Sequence, residues 1–357
     1  MEKIRIAHLS DLHLGSKSQL FDMESEMLKT LIDIINLCNS VKVDIILIAG
    51  DFFESSNIKN ELKGQIKEIF NIFNGKIFIS PGNHDFFSLD SPYNEEWSKN
   101  TYIFKKPNIE FVEIKELNTR IYGFAFDRAI IRERKLVNFP VVDSKYINIG
   151  IFHGDIYGTN EYNPIFPQDI ENSKLDYMAL GHIHKRSDIL IQGNTRYAYS
   201  GNPFGRGFDE TGSKGIYLGD ISKNNIKLNF YQASKIKFLK EEIMVDEAFS
   251  LSDISRIIRK NLEAKYGEEY RNNLYDIKLK GYLNENISIS ENLILSELGD
   301  IRFVKIKNDT RINYDYDKLS REYSIRGIFV KNMLDKLVEN KEFNEKVLEV
   351  GLRSFED

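Results

Sequence analysis

The apolar positions of the first eighty residues follow two alternating periods. Ile4 to Leu9, Val43 to Ala49 and Ile77 to Ile79 are short, nearly continuous apolar runs. Between them Met27, Leu31, Ile34, Ile35 and Cys38, and then Leu62, Ile66, Ile69, Phe70 and Phe73, recur at helical spacing, with Asp22 placed to cap the first set. Strand, helix, strand, helix, strand in that order predicts a parallel sheet with helices packed on it. Residues just past the carboxyl ends of such strands share one crevice. Here they are Ser10-Asp11-Leu12-His13, Gly50-Asp51 and Ser80-Pro81-Gly82-Asn83-His84-Asp85. Pro81 and Gly82 force a turn, so the amide, imidazole and carboxylate that follow must point at something other than a core.

After residue 86 the pattern changes. Residues 88–108, with Pro92, Trp97 and Pro107, read as irregular or partly helical. Short strands are expected near Ile109 to Val112, Arg120 to Ala125, Ile147 to Phe152, Leu175 to Leu180, Arg196 to Tyr199, Gly215 to Ile221 and Ile226 to Tyr231. Asn224-Asn225 supplies a hairpin turn between the last two. Together they predict a second sheet, mixed or largely antiparallel, facing the first. Beyond about 233 the composition shifts, since all seven prolines and all six histidines lie before residue 204. A strand (Ile236 to Val245), a helix (Leu251, Ile254, Ile257, Ile258, Leu262), a strand (Ile277, Leu279), a short helix (Leu293 to Leu298) and a strand (Ile301 to Ile306) predict a small α+β domain. Ile325, Ile328, Phe329, Leu334 and Leu337, then Val347, Leu348 and Leu352, predict two amphipathic helices. The expected domains are 1–232, 233–310 and 311–357.

At 357 residues, 41% hydrophobic and 29% charged, the chain reads as an ordinary soluble protein. No apolar run approaches the roughly 18 residues needed to span a bilayer, and Met1-Glu2-Lys3-Ile4 does not open a signal peptide, so a cytoplasmic protein with no membrane association is expected. The single cysteine, Cys38, excludes an intrachain disulfide and a thiolate metal cage. A net charge of −5 argues weakly against a protein that coats nucleic acid, although acidic groups holding cations would be neutralised by them.

The chemistry concentrates at strand ends. Asp11-x-His13 and His182-x-His184 each present two groups from one side of an extended segment. His13, His84, His153, His182 and His184, five of the six histidines, sit at or just beyond predicted strands. Imidazole, carboxylate and amide without sulfur suit Mn²⁺, Fe or Zn²⁺ better than Mg²⁺ or Ca²⁺. Asp51, on a tight turn, is the best-placed carboxylate to bridge two cations roughly 3.5 to 4 Å apart, the spacing of two-metal hydrolases. Such a pair matches a phosphate ester, whose oxygens it would clamp while lowering the pKa of a water.

The set Asp11-x-His13, Gly50-Asp51, Gly82-Asn83-His84-Asp85, His153-Gly154 and Gly181-His182-x-His184 resembles the five motifs of the calcineurin-like metallophosphoesterases, covering about residues 4 to 231. Ile6-Ala7-His8-Leu9-Ser10-Asp11-Leu12-His13-Leu14-Gly15 resembles the SbcD-type DNA repair nucleases. Tyr199-Ser200-Gly201-Asn202-Pro203-Phe204-Gly205-Arg206, followed by Glu210-Thr211-Gly212-Ser213-Lys214-Gly215, is similar to their YhaO-like branch. The resemblance implies an α/β fold, a four-layer αββα metallophosphoesterase sandwich with a small α+β capping domain and C-terminal helices. It implies two divalent metal ions, with Mn²⁺ expected: Asp11, His13, Asp51 and His184 around one, and Asp51, Asn83, His153 and His182 around the other. His84 would be the general acid and Asp85 would orient its ring. DNA is the implied substrate, an SbcC-like SMC-type ATPase the implied partner, and a homodimer the implied assembly.

The remaining polar residues have plainer readings. His8 lies inside the first strand and reads as structural, and Asp155 as a turn residue. Glu54 stands where related nucleases often carry an aspartate. Arg206 is a candidate contact for substrate phosphate, with a structural ion pair as the equal alternative, and Lys185 and Arg186 are surface charge or a phosphate path. A small-molecule phosphodiesterase, acting for instance on cyclic nucleotides, is the competing function. A protein phosphatase is disfavoured because Gly50-Asp51 is followed by Phe52-Phe53-Glu54 rather than Arg-Gly, and intact motifs disfavour a non-catalytic subunit. The long extension after residue 233 favours the nuclease. With 22 Lys and Arg against 24 Asp and Glu there, any grip on DNA comes from local patches.

Overall fold

Alternation along the strands sets the layers of the first unit. In chain order it runs β1 (Lys3–Leu9), α1 (Met23–Ser40), β2 (Ile45–Ile48), α2 (Asn60–Ile72), β3 (Lys76–Ile79), β4 (Thr101–Ile103), β5 (Glu110–Ile114) and β6 (Thr119–Gly123). It continues with β7 (Ile147–His153), α3 (Pro167–Ser173), β8 (Tyr177–Gly181), β9 (Leu190–Gln192), β10 (Thr195–Tyr199), β11 (Gly215–Ser222) and β12 (Asn225–Gln232). The structure is a computed structural model that describes residues 3–355 apart from 157, 159, 160, 224, 335 and 337–340. The chain divides into Met1–Phe238 and Leu239–Asp357.

One six-stranded sheet has the order β12-β11-β1-β2-β3-β4, and the other β5-β6-β7-β8-β10-β9. In the first, β1 to β4 are parallel neighbours; in the second, β6, β7, β8 and β10 are, with β5 and β9 antiparallel at the edges. The second sheet is therefore mixed with a parallel centre. The β11–β12 hairpin, expected in the second sheet, belongs to the first, where β11 runs antiparallel to β1. Only one edge of β1 is taken by β2, and the hairpin satisfies the backbone groups of the other; alternation within a hairpin carries no information about which sheet it joins. Asn224 of the expected turn lies outside the described residues. The strands β4 and β9, three residues each, were not anticipated.

Ile4, Ile6, Ile45, Leu47 and Ala49 from the first sheet meet Ile149, Ile151, Tyr177 and Ala179 from the second in one buried core. Side chains one position out of phase face away. Met178 and Leu180 pack under Ile131, Leu136 and Ile165 from connecting loops and under Ile170 of α3. On the first sheet, Asp22 accepts from the Ser25 N–H at 3.2 Å to start α1, whose Met27, Leu31, Ile34, Ile35 and Cys38 are buried. The four layers are thus helix, sheet, sheet and a loop-rich layer with one short helix.

The second unit takes its first strand from the boundary, β13 (Phe238–Met244), and continues with α4 (Leu251–Tyr266), β14 (Leu274–Lys280), β15 (Tyr282–Asn284), α5 (Glu291–Glu297), β16 (Phe303–Asn308) and β17 (Arg311–Asn313). The sheet β13-β14-β16 buries Tyr275, Ile277 and Leu279 against Ile254, Ile258 and Leu262 of α4 and Ile294 of α5. After β17 come α6 (Tyr316–Leu319), α7 (Ile325–Leu334) and α8 (Lys341–Arg353), with a core of their own made by Tyr314, Leu319, Val330, Met333, Leu348 and Leu352. Leu337 lies outside the described residues.

His8 cross-braces the two sheets. Its Nε2 lies 3.1 Å from the Leu180 carbonyl, which can only accept, so Nε2 carries the proton and Nδ1 accepts from the Tyr177 hydroxyl at 2.8 Å. Burial holds its pKa down from 6.5 to about 4. As pH falls the unfolded chain takes up this proton first, so the stability tied to neutral His8 is full above about pH 6.5 and lost toward about pH 4. Between pH 7 and pH 5 that loss is about 2 kcal/mol. Urea unfolding at both pH values should show a pH penalty smaller by about this amount in His8→Gln than in the parent; equal penalties would refute the assignment.

Candidate metal centre

The carboxyl ends of β1, β2 and β3 in one sheet and of β7 and β8 in the other open onto the same rim. Asp11, His13, Asp51 and His182 follow those strands with φ of 54°, 50°, 48° and 102°. Left-handed backbone costs a non-glycine residue about 1–3 kcal/mol. It is held here by hydrogen bonds between the turns, from the Asp11 N–H to the Gly50 carbonyl and from the His13 N–H to the Asp51 carbonyl, both at 3.0 Å. Gly50 has φ 85°, and a Cβ there would stand 2.4 Å from Nδ1 of His153. At Gly82 a Cβ would stand 2.3 Å from Oδ1 of Asp51. Glycine is required because an imidazole and a carboxylate lie directly against the backbone.

Asp51 sits at the middle of the cluster. Its Oδ2 is 3.8 Å from Nε2 of His13 and 3.3 Å from Nε2 of His153, while its Oδ1 accepts from the His84 N–H at 2.9 Å. Asp11 accepts from the His182 N–H at 3.0 Å and lies 3.9 Å from Nε2 of His184. The Asn83 Oδ1 is 2.8 Å from Nε2 of His153 and 3.2 Å from Nδ1 of His182. Nε2 of His13 and Nε2 of His184 are 3.2 Å apart. All seven residues expected as ligands are brought together, and Asp11, His13 and His184, like Asp11, Asp51 and His153, offer ligand atoms within 4.8 Å of one another.

The hydrogen bonds behind the rings decide what the front can hold. Nδ1 of His153 lies 3.0 Å from the Ala49 carbonyl, Nδ1 of His184 2.6 Å from Oε1 of Glu210, and Nδ1 of His13 3.0 Å from Oε2 of Glu54. The Ala49 carbonyl only accepts, so Nδ1 of His153 carries a proton, while Nδ1 of His184 lies between Oε1 of Glu210 and Nη2 of Arg206, the latter 3.2 Å away; each ring is oriented with Nε2 toward the front. Nε2 of His13 and Nε2 of His184 face each other at 3.2 Å, and Nε2 of His153 faces the Asn83 oxygen at 2.8 Å. With Nε2 deprotonated, as ligation requires, lone pairs face one another and a cation between them turns repulsion into ligation. The donor set therefore fits divalent metal ions.

Electrostatics keeps the carboxylates charged: burial opposes a charge on His153, but Asp51 outweighs it and raises His153 to about 9, so a metal ion entering here displaces that proton. Burial, the largest influence on Asp51, opposes its charge, but His153 and His13 outweigh it and hold the carboxyl well below the usual range. Burial likewise opposes the charge of Glu54, and hydrogen bonds from His13 and Ser16 bring its pKa down to about 2. Burial, with His153 beside it, pushes His182 down to about 4, so this ring is neutral. His84 is exposed at the rim, its ring centroid 4.7 Å from that of His13, with Nδ1 3.2 Å from the Glu54 carbonyl.

Two expected roles change. Asp85 does not orient His84: its Oδ1 accepts from the Gly82 N–H at 2.7 Å, and its Oδ2 accepts from the N–H groups of Phe52 and Phe53 at 2.8 and 3.2 Å and from the Tyr93 hydroxyl at 2.5 Å. The carboxylate is fully buried and points back into the turns, clamping the Asp51 turn to the Asn83 turn. Arg206 is in the ion pair rather than free for a substrate: Nη1 donates to Glu54 at 3.1 Å and Nη2 to Glu210 at 3.2 Å. Glu210 was missed as part of the centre, although its place four residues after Arg206 was a usable signal. The Tyr162 ring, 4.8 Å from that of His182, was missed without one. Arg186 stacks on Phe230 at 4.1 Å, and Asp155, expected in a turn, forms an isolated β-bridge with Pro164, its N–H donating to the carbonyls of Tyr162 and Asn163.

Residues 4–186 match the family model for calcineurin-like phosphoesterases. The chain belongs to that family. Calcineurin-like phosphoesterases are binuclear metal-dependent hydrolases, and the rim described above carries Asp and His groups positioned to hold metals. The chain is 29% identical over 273 residues to the uncharacterized metallophosphoesterase YhaO of Bacillus subtilis (strain 168), covering 70% of this chain and 65% of YhaO. It is 25% identical over 371 residues to the DNA double-strand break repair protein Mre11 of Methanocaldococcus jannaschii, covering 95% and 96%. It is 23% identical over 309 residues to one of the subunits of the nuclease SbcCD from Staphylococcus epidermidis, covering 77% and 79%. Among the described residues no helix is long and apolar enough to cross a membrane.

The clamp assigned to Asp85 is open to a direct check. Asp85→Asn turns an amide donor toward buried donors and removes a charge-assisted bond, so chemical unfolding in EDTA should show a loss of about 3 kcal/mol. Unchanged stability together with lost hydrolysis would return Asp85 to the side of His84.

Proposed function

We propose that this phosphoesterase is a Mn²⁺-dependent DNA nuclease that hydrolyses phosphodiester bonds, acting in the cytoplasm in DNA repair or end processing, as a homodimer with an SMC-like ATPase. The observation that carries the reading is the convergence of seven residues offering nitrogen and oxygen ligand atoms beside one exposed imidazole. The sulfur-free donor set admits Mn²⁺ together with Fe and Zn²⁺, and the choice of Mn²⁺ rests on the family resemblance. Support for DNA comes from relatives named as a DNA double-strand break repair protein and as part of a nuclease, and the first of these matches through both units of this chain. That the second relative is one component of a larger nuclease supports a partner. So do Ile325 and Ile328 of α7, 77% and 62% exposed beside the small core of the C-terminal segment, 311–357.

In this reading Asp11, His13, Asp51 and His184 hold one ion, and Asp51, Asn83, His153 and His182 the other. Two bound ions supply Lewis acidity toward the phosphoryl oxygens and lower the pKa of a water. Asp51 stays ionised because His153 and His13 lie against it, and its hydrogen bond to the His84 N–H fixes where the His84 ring leaves the backbone. Protonated His84 keeps Nδ1–H on the Glu54 carbonyl and gives its Nε2 proton to the leaving oxygen.

Purified protein with Mn²⁺ should release nucleotides from linear DNA. His84→Ala should lower kcat by about 10²- to 10⁴-fold while the number of bound ions stays the same. Turnover of bis-p-nitrophenyl phosphate or a cyclic nucleotide with DNA left intact, even with an ATPase partner added, would make the chain a small-molecule phosphodiesterase.

A further inference from the structure

We infer that Arg206 is a positioning residue on which one metal subsite depends and the other does not. The inference rests on the two-ion reading above. Behind the His13 and His184 rings runs a closed chain of charged groups. Nδ1 of His13 is 3.0 Å from Oε2 of Glu54, which also takes the Ser16 hydroxyl at 2.7 Å and Nη1 of Arg206 at 3.1 Å. Nη2 of Arg206 and Nδ1 of His184 converge on Oε1 of Glu210 at 3.2 and 2.6 Å. Oε2 of Glu210 is held by the Arg206 N–H at 2.9 Å and by Nδ2 of Asn202 at 2.6 Å. One guanidinium thus joins the turns after β1 and β2, the turn after β8, and the loop between β10 and β11.

The other subsite is braced differently. His153 rests on the backbone carbonyl of Ala49, and the His182 backbone N–H is tied to Asp11. Neither brace involves Arg206. A fork of two parallel donors is what lets arginine hold two carboxylates at once, which a lysine ammonium on a flexible stem does not reproduce. Without it Glu54 and Glu210 lose the counter-charge they share. Glu54, with 38% of its side chain exposed, is then free to turn to solvent, and the His13 ring loses the carboxylate that lies 3.0 Å from its Nδ1. Losing such outer partners typically costs a metal site 10- to 100-fold in affinity. Nη1 and Nη2 of the guanidinium are thus both engaged with protein carboxylates.

The test is calorimetric titration of metal-free full-length protein with MnCl₂. The parent should bind two ions. Arg206→Met should weaken one binding step by about 10- to 100-fold and leave the other unchanged, with Arg206→Lys in between. Asn83→Ala removes a ligand of the other subsite, so the step that survives in it should be the one lost in the Asn83→Ala, Arg206→Met double variant. Should Arg206→Met fail to fold, judged by thermal unfolding in EDTA, Arg206→Lys carries the same comparison. A parent that binds fewer than two ions defeats the metal-centre reading itself. A parent that binds two, with both steps unchanged or both equally weakened in the Arg206 variants, overturns this inference alone.

Discussion

Lone pairs crowded at one rim of the sandwich are the constraint on which the rest of this molecule turns. Two buried carboxylates, an amide oxygen and imidazole nitrogens crowd one another, with pairs of ligand atoms 2.8 to 3.9 Å apart. Such a group repels itself unless positive charge enters. Holding it in place takes four left-handed non-glycine residues, glycines against which a ring and a carboxylate are pressed, and hydrogen bonds behind His153 and His184. The two sheets must meet face to face for the rim to exist at all, and Ala49 shows the coupling. Its side chain lies in the core between the sheets while its carbonyl orients His153 from the other sheet.

The centre is built in two ways. Around His153 the support is backbone, part of the sheet framework itself. Around His13 and His184 it is a relay of side chains, Glu54, Arg206 and Glu210, with Arg206 and Glu210 carried on a loop. Asp85 belongs to a third kind of support, a buried carboxylate that satisfies backbone donors from two turns and one tyrosine. Its own charge is disfavoured by burial and by Asp51 nearby, which raise its pKa, so its four donors offset that cost.

How much of this was legible in the sequence varies by residue. The strand–helix alternation to residue 80, the Asp22 cap and all seven ligand candidates could be read directly, because each rests on a local property: a period of two or 3.6, a turn-forming pair, a donor type at a strand end. Residues beyond 233 likewise showed their strands and helices through local period. The neighbour of the β11–β12 hairpin, and the fourth layer being mostly loop, were not legible, since strand pairing is decided between segments far apart in the chain.

Asp85 marks the boundary most clearly. Sequence adjacency put it next to His84, yet consecutive side chains leave the backbone in different directions, and this one turned inward to Phe52, Phe53 and Tyr93. Arg206 was balanced between substrate and ion pair until Glu54, 152 positions earlier, was found beside it. By itself the sequence determined which chemical groups are present and which elements carry them, since both follow from short-range periodicity and residue type. Only the tertiary structure decided which acceptor each donor meets, because burying two sheets against each other brings distant charges together and leaves each no other partner.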